Sequence, residues 1–456
     1  MVSALDLADV QGLIVRGYTM PLARHVLLRI DVPAVAHRLL ASLVDGGPST
    51  PQVTSGAPWE TKPEHCLNVG ITFAGLQALG VSQRSLASFP DEFIAGAAAR
   101  AERVGDVGTS APANWLPAFT DPGLHLLVSV FARDGAALNR PTDAVVSASG
   151  RGLTELCRFD AALLGARVDH FGYVDGISQP TIASAPPTGP PDAMPVAPTG
   201  EFLLGHPSQH VGFSYPVPTP DALGRNGSFA AFRMLAQDVD AFTELLTEHS
   251  RRTGLSTELI AAKLCGRWRN GTPLVLSPHA DTPQPPLSPE QLNDFDYVGR
   301  FADERGMACP IGAHVRRMYP RGSRVAGNGG HKHRIVRRGL TYGPAFDPAR
   351  PHDGVERGLL GMFIGVSLRD QFEFLMADWA NDGLFAPGLG RSKDPIVGAN
   401  DDAAGTFSIP GPGGATVLTD LPRLVTTRGG AYFFLPSLTA LRYLTDLSGA
   451  AESQHH

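Results

Sequence analysis

Cysteine is scarce in this chain: four in 456 residues, Cys66, Cys157, Cys265 and Cys309, with no paired spacing. That excludes a disulfide scaffold and a cysteine-rich zinc site, and it suits a reducing compartment. Long apolar runs are missing too. No stretch approaches the roughly 20 residues a membrane-spanning helix needs. Residues Met1 to Asp9 lack a basic segment followed by an apolar core, so the expected location is cytoplasmic. Positive charge is not in excess: a net charge of −6 argues against a nucleic-acid partner or a membrane-surface patch. No short-period repeat is visible.

What is present fits a soluble globular enzyme, with 43% hydrophobic and 18% charged residues in a chain long enough for two domains. Glycine (51) and proline (39) are plentiful, so loops are too. Strands are expected at residues 26–30, 67–73 and 124–131, with helices from Pro33 to about Leu43, around 76–79 and from Glu92 to about Val104. Thr181 to Gly200 holds six prolines and reads as an extended connector. Beyond it the alternation resumes: strands at 202–204, 229–235, 359–366 and 431–435, and helices at 238–248, 369–380 and to about 447. The order suits antiparallel sheets covered by helices.

Two stretches carry chemistry. In the first, Asp175 sits between Gly172 and Gly176 and Pro180 ends the segment, Phe171-Gly172-Tyr173-Val174-Asp175-Gly176-Ile177-Ser178-Gln179-Pro180. Taken alone it is an aspartate in a glycine turn, a common use of Asp; the glycines would also let backbone pass close to a flat ligand. In the second, Cys309-Pro310-Ile311-Gly312-Ala313-His314-Val315-Arg316-Arg317, small residues leave His314 unshielded from a large planar partner. A histidine beside arginines is ordinarily a surface residue. Imidazole is equally a good ligand for haem iron, and arginines suit haem carboxylates. The local basic group comprises Arg316, Arg317, Arg321 and Arg324, then Arg334, Arg337 and Arg338.

Together these stretches resemble the dye-decolorizing peroxidase family of haem enzymes. Phe171 to Pro180 matches the family's Phe-Gly-x-x-Asp-Gly-x-Ser-Gln-Pro run. Cys309 to Arg321 follows its Cys-Pro-Phe-Gly-Ala-His-Ile-Arg-Arg block, with Ile311 for Phe, Val315 for Ile, and Tyr319 where Asn is common. Arg337-Arg338-Gly339 through Tyr342-Gly343 is similar to the distal-arginine segment, and Gln371 to Asp382 to a block of the longer bacterial members. The likeness runs in patches from Asp9 to Phe434.

The resemblance implies an α+β fold of two ferredoxin-like units: residues 1–180, the connector 181–200, and 201–456, with the haem pocket mainly in the second. It implies one haem b per chain on His314, with Asp175 as proton shuttle and Arg337 as distal cation. Gly176, Ile177, Gln179 and Arg316 are expected to help seat the cofactor. Met362 and Ile364 face the pocket or are plain core. Glu373 or Asp370 is expected to accept the second ring N–H of His314. The implied activity is reduction of hydrogen peroxide with one-electron oxidation of dyes, phenols or other aromatics via an oxoferryl intermediate. Trp268, Trp379 and Tyr319 are candidate electron relays to large dyes. A haem-handling protein without peroxidase turnover and a haem-free Asp/His hydrolase are the alternatives. A metal at His331 and His333 is disfavoured by their loop setting, and His170 beside Asp169 reads as locally solvated. His455 and His456 read as part of a tag, and a homo-oligomer is compatible with all of this.

Overall fold

The computed structural model describes residues 5–47, 50–185, 196–299, 301–323, 330–387, 389–401 and 404–452. The strands among them are β1 Leu22–Ile30, β2 His65–Ile71, β3 Leu126–Ala132, β4 Leu153–Ala162, β5 Ser228–Gln237, β6 Val336–Tyr342, β7 Gly358–Gly365, β8 Gly405–Ile409, β9 Thr416–Leu421 and β10 Val425–Leu435. Eight close into one antiparallel barrel in the order β1-β3-β2-β10-β5-β7-β6-β4, while β8 and β9 form a separate hairpin. Each half has the same internal order, fourth strand beside first, then third, then second: β4-β1-β3-β2 and β10-β5-β7-β6. That is the arrangement expected of a ferredoxin-like unit. The two sheets do not stay separate, however. They join edge to edge at Ala162↔Thr341 and Ile71↔Phe434, which leaves neither sheet with two open edges.

Helices α1 Pro33–Asp45 and α2 Gly135–Ser149 cover the first sheet, and α3 Val239–Thr253 belongs to the second half. Their ends follow from sequence. Pro33 opens α1 where no amide donor is needed, and Gly46 ends it at φ 68. Asp238 caps α3 by accepting from the amide of Ala241, and Gly254 ends it in the left-handed conformation. The barrel interior is where the halves meet. His25 of β1 lies edge-on to Phe131 of β3 and Phe232 of β5, with ring centroids 5.9 and 5.1 Å away.

Four sequence expectations change. The helix expected over 92–104 stops at Ala99, with Gly96 at φ 76 inside it, and resumes only as a short turn at Glu102–Val104. Phe202 to Leu204 is no strand: it is apolar because it is buried, and it follows a single helical turn at Thr199–Glu201. The 369–380 helix forms as two π-helical turns, Leu368–Glu373 and Leu375–Ala380, whose last carbonyls serve Arg317 and the Asp394 amide instead of the helix. The ends of the proline-rich connector also meet, Ile182 pairing with Ala197, so it does not bridge a distance. Residues 186–195, which hold most of its prolines, lie outside the described residues.

On the outer face of β5, Arg233 donates to Asp106 at 2.5 Å, both side chains 3% exposed, and the Thr427 hydroxyl donates to the same carboxylate oxygen. Removing one partner strands the other charge away from water. Asp106→Ala should therefore lower unfolding free energy by about 3–5 kcal/mol in a denaturant titration; a loss below about 1 kcal/mol would contradict that account.

Candidate active site

A cavity of about 340 Å³ lies between the outer face of the second sheet and the short helix α4, His314–Met318. Small residues precede the helix, so His314 stands at its first position and lines the cavity. Its Nδ1 lies 2.9 Å from Oδ2 of Asp394, a fully buried carboxylate. A carboxylate only accepts, so Nδ1 donates, and the neutral ring then carries its lone pair on Nε2. Burial pushes the Asp394 carboxyl up, but His314, the Val397 amide and Arg317 together bring it below the usual carboxylate range. Asp394 is rigidly held: its Oδ1 accepts from the amides of Ile396 and Val397, and its own amide donates to Ala380.

The expected acceptors do other work. Glu373, wholly buried, takes Arg100 at 2.9 Å and the Tyr432 hydroxyl at 3.1 Å, tying the π-helical turns to the first half of the chain. Asp370 offers its carbonyl to His333 and its carboxylate to Lys332. Asp394 was not foreseen because it lies 80 residues from His314, in a loop without periodicity.

Arg316 is likewise corrected. It donates to Asp303 and to the Cys309 carbonyl, stacks 4.2 Å over Tyr297, and is not among the cavity-lining residues. Arg317 turns away as well, donating to the carbonyls of Gly312, Trp379 and Ser392 and so fixing α4 against the loop that carries Asp394. The arginines that do line the cavity near α4 are Arg321 and Arg334, which lie 5.3 and 4.8 Å from the Tyr319 ring centroid, together with Arg267. Arg267 is pushed down to about 10 by burial and by neighbouring Arg321. Arg324 lies outside the described residues.

Strand register decides the opposite wall. Arg337 pairs with Phe363, Gly339 with Gly361, and Gly361 with Arg233, so these residues share the cavity face. Met362 pairs with Arg338 and Phe232, and Ile364 with Val336 and Ala230, which puts both side chains on the barrel-interior face. Met362 still borders the cavity, beside the side-chain-free Gly361, whereas Ile364 does not. The core reading of these two residues is the one the register supports.

Asp175, Gly176 and Ile177 line the cavity, and the Asp175 carboxylate accepts from the Gly176 amide at 2.6 Å. Gly176 is needed there, at φ 79 with the Arg167 guanidinium 2.8 Å from where a Cβ would stand. Gln179 does not line the cavity; its amide holds the backbone of Arg337. Of the relay candidates, Trp268 and Trp379 are buried and Tyr319 is half-buried. His333 stacks on Phe374, and among the described residues no group of three or more side chains could hold a metal ion. No described helix is long and apolar enough to cross a membrane.

A second carboxyl lines the same cavity. Burial pushes Asp169 up to about 6, although it accepts from the Tyr173 amide and from Gln237. A carboxyl that holds its proton more tightly when folded stabilises fully below its unfolded value, near 4, and that contribution is lost as pH rises through about 6. Asp169→Asn should thus raise stability at about pH 8 by up to about 3 kcal/mol and change little at about pH 4. Equal effects at both pH values would contradict this.

The barrel class is also visible by comparison. The profile described as the DyP dimeric alpha+beta barrel domain matches residues 10–163. A dye-decolorizing peroxidase from Mycena epipterygia is 31% identical, over 96% of this chain and 86% of its own. The multifunctional dye peroxidase DyP2 from an Amycolatopsis species is 33% identical, over 83% and 82%. A fungal DyP-type peroxidase structure from Auricularia auricula-judae superimposes with a TM-score of 0.83 at 26% identity, covering 97% of this chain and all of that one. A dye-decolorizing peroxidase solved in complex with 2,6-dimethoxyphenol gives 0.82 at 27%, with the same coverage. The chain belongs to the dye-decolorizing peroxidase family, whose members are haem-dependent, and it is a peroxidase of that type.

Proposed function

We propose that this enzyme binds one haem b per chain through His314, reduces hydrogen peroxide, and oxidises phenolic or dye substrates in one-electron steps. The observation that carries the reading is the Asp394–His314 pair, which engages Nδ1 of a histidine lining the same cavity as Arg337 and the Asp175 segment. The donor set fits the group. Imidazole with a carboxylate behind it is a strong iron ligand, Arg321 and Arg334 offer cations for two propionates, and Phe363, Met318 and Val315 supply apolar walls. Iron-bound haem supplies the redox centre at which the peroxide O–O bond is broken. The division into residues 1–180, 181–200 and 201–456 belongs to the same reading, supported by four barrel strands on either side of the connector.

The chain's residues supply proton and charge handling. The Asp175 carboxylate takes the proton from the inner peroxide oxygen and returns it to the outer one, which leaves as water. Arg337 stabilises the negative charge that develops as the bond stretches. Asp394 fixes the His314 tautomer throughout. Arg337→Ala should lower kcat/KM for peroxide by roughly 10²- to 10³-fold while leaving KM for the dye near its original value. The whole reading is tested by the absorption spectrum of the purified protein before and after one equivalent of peroxide. A Soret band that shifts with peroxide and returns on adding a phenol supports it, and a spectrum without a Soret band after haem reconstitution overturns it.

A further inference from the structure

Strand β6 has one neighbour along most of its length. On one side it pairs with β7 from Val336 to Tyr342; on the other, β4 reaches it only at Ala162↔Thr341. At Arg337 that second edge is filled by a side chain. Gln179 Nε2 donates to the Arg337 carbonyl at 3.0 Å, and Gln179 Oε1 accepts from the Arg337 amide at 3.1 Å. One amide thus makes both hydrogen bonds that a partner strand would make. The adjacent Ser178 carbonyl accepts from Arg337 Nη2 at 3.1 Å. Upstream, the Ile177 carbonyl accepts from Asn293 Nδ2 at 2.8 Å, and Asn293 is itself held by Arg267 and Arg321.

Asp175 and Gln179 lie four residues apart in one segment, so three hydrogen bonds fasten that segment to the backbone and guanidinium of Arg337. We propose that Gln179 is a positioning residue for the peroxide reaction, fixing the Arg337 guanidinium relative to the Asp175 carboxylate. The proposal rests on the roles given above to Asp175 and Arg337. Gln179 acts through Arg337 and is not among the residues that line the cavity. Its removal leaves an open strand edge at Arg337, which relaxes the guanidinium from the spot where charge develops. Displacements of about 1 Å at such a site cost up to roughly 10²-fold in rate, and Gln179→Leu is expected to cost about tenfold.

Four holoproteins test this: the parent, Gln179→Leu, Arg337→Ala and the double variant. Two quantities are read in each: the second-order rate of peroxide reaction, and the cyanide dissociation constant from the Soret shift of the ferric protein. Gln179→Leu should slow the reaction and weaken cyanide binding about tenfold in the parent, yet change either by less than about twofold in Arg337→Ala. Gln179→Glu keeps the acceptor for the Arg337 amide and should fall in between; it also serves if the leucine variant does not fold. Equal effects in both backgrounds, or none in the parent, overturn the proposal while leaving the role of Arg337 intact. An Arg337→Ala protein indistinguishable from the parent overturns both.

Discussion

A His314→Ala protein is expected to purify with little bound haem and to lose more than about a thousandfold of its peroxide-dependent dye oxidation, or ~4 kcal/mol of barrier lowering. The loss should be this large because His314 is the cavity's imidazole with its second nitrogen committed to a buried carboxylate. Among the described residues no other histidine is so placed. His333, the other histidine on the cavity wall, stacks 3.7 Å from Phe374 and points Nδ1 at the Asp370 carbonyl. Added imidazole should restore part of the Soret band by occupying the vacated space against Asp394. A His314→Ala protein with full pigment and undiminished turnover would refute the assignment.

Asp175→Asn is expected to slow the reaction with peroxide by roughly 10²- to 10⁴-fold while leaving haem content and dye KM unchanged. The substitution is nearly isosteric. An asparagine carbonyl still accepts the Gly176 amide that the carboxylate accepts at 2.6 Å, so the turn should keep its shape. What disappears is a group able to take and return a proton. The effect should exceed that of neutralising Asp169, which lines the same cavity but whose carboxylate is engaged by the Tyr173 amide and Gln237. Stopped-flow measurement of the peroxide reaction decides it. A rate within about threefold of the parent would remove Asp175 from the mechanism.

How much of this was legible in sequence depended on how local the determinants were. Strands β1, β3, β5 and β7 are legible because they are largely apolar and mostly buried, and α1 and α3 carry their own start and stop residues. Strand β4, Leu-Thr-Glu-Leu-Cys-Arg-Phe-Asp-Ala-Ala, is only partly covered, and its mixed composition hid it. Barrel closure rests on single register pairs between strands distant in sequence, which no window can report.

The site divided in the same way. His314, Asp175 and Arg337 sit in compact motifs, and the fold brings all three to one cavity. Asp394 and Asn293 come to the site only through tertiary contact, and only the fold shows that Arg321 and Arg334 of the basic group line the cavity while Arg316 does not. Arg316 looked like a carboxylate partner because of its neighbours in sequence, but Asp303 and the Cys309 carbonyl claim its guanidinium. Met362 and Ile364 were ambiguous for a simpler reason: side chains two apart on a strand share a face, and only the pairing with β5 and β6 shows which face it is.

The central claim is that the iron is held by His314 Nε2 with Asp394 strengthening the ligand from behind. Resonance Raman spectroscopy of the ferrous protein reads that bond directly. The account predicts an iron–histidine stretching band that moves to lower frequency in Asp394→Asn and vanishes in His314→Ala. A band unmoved by the first substitution, or surviving the second, would contradict it.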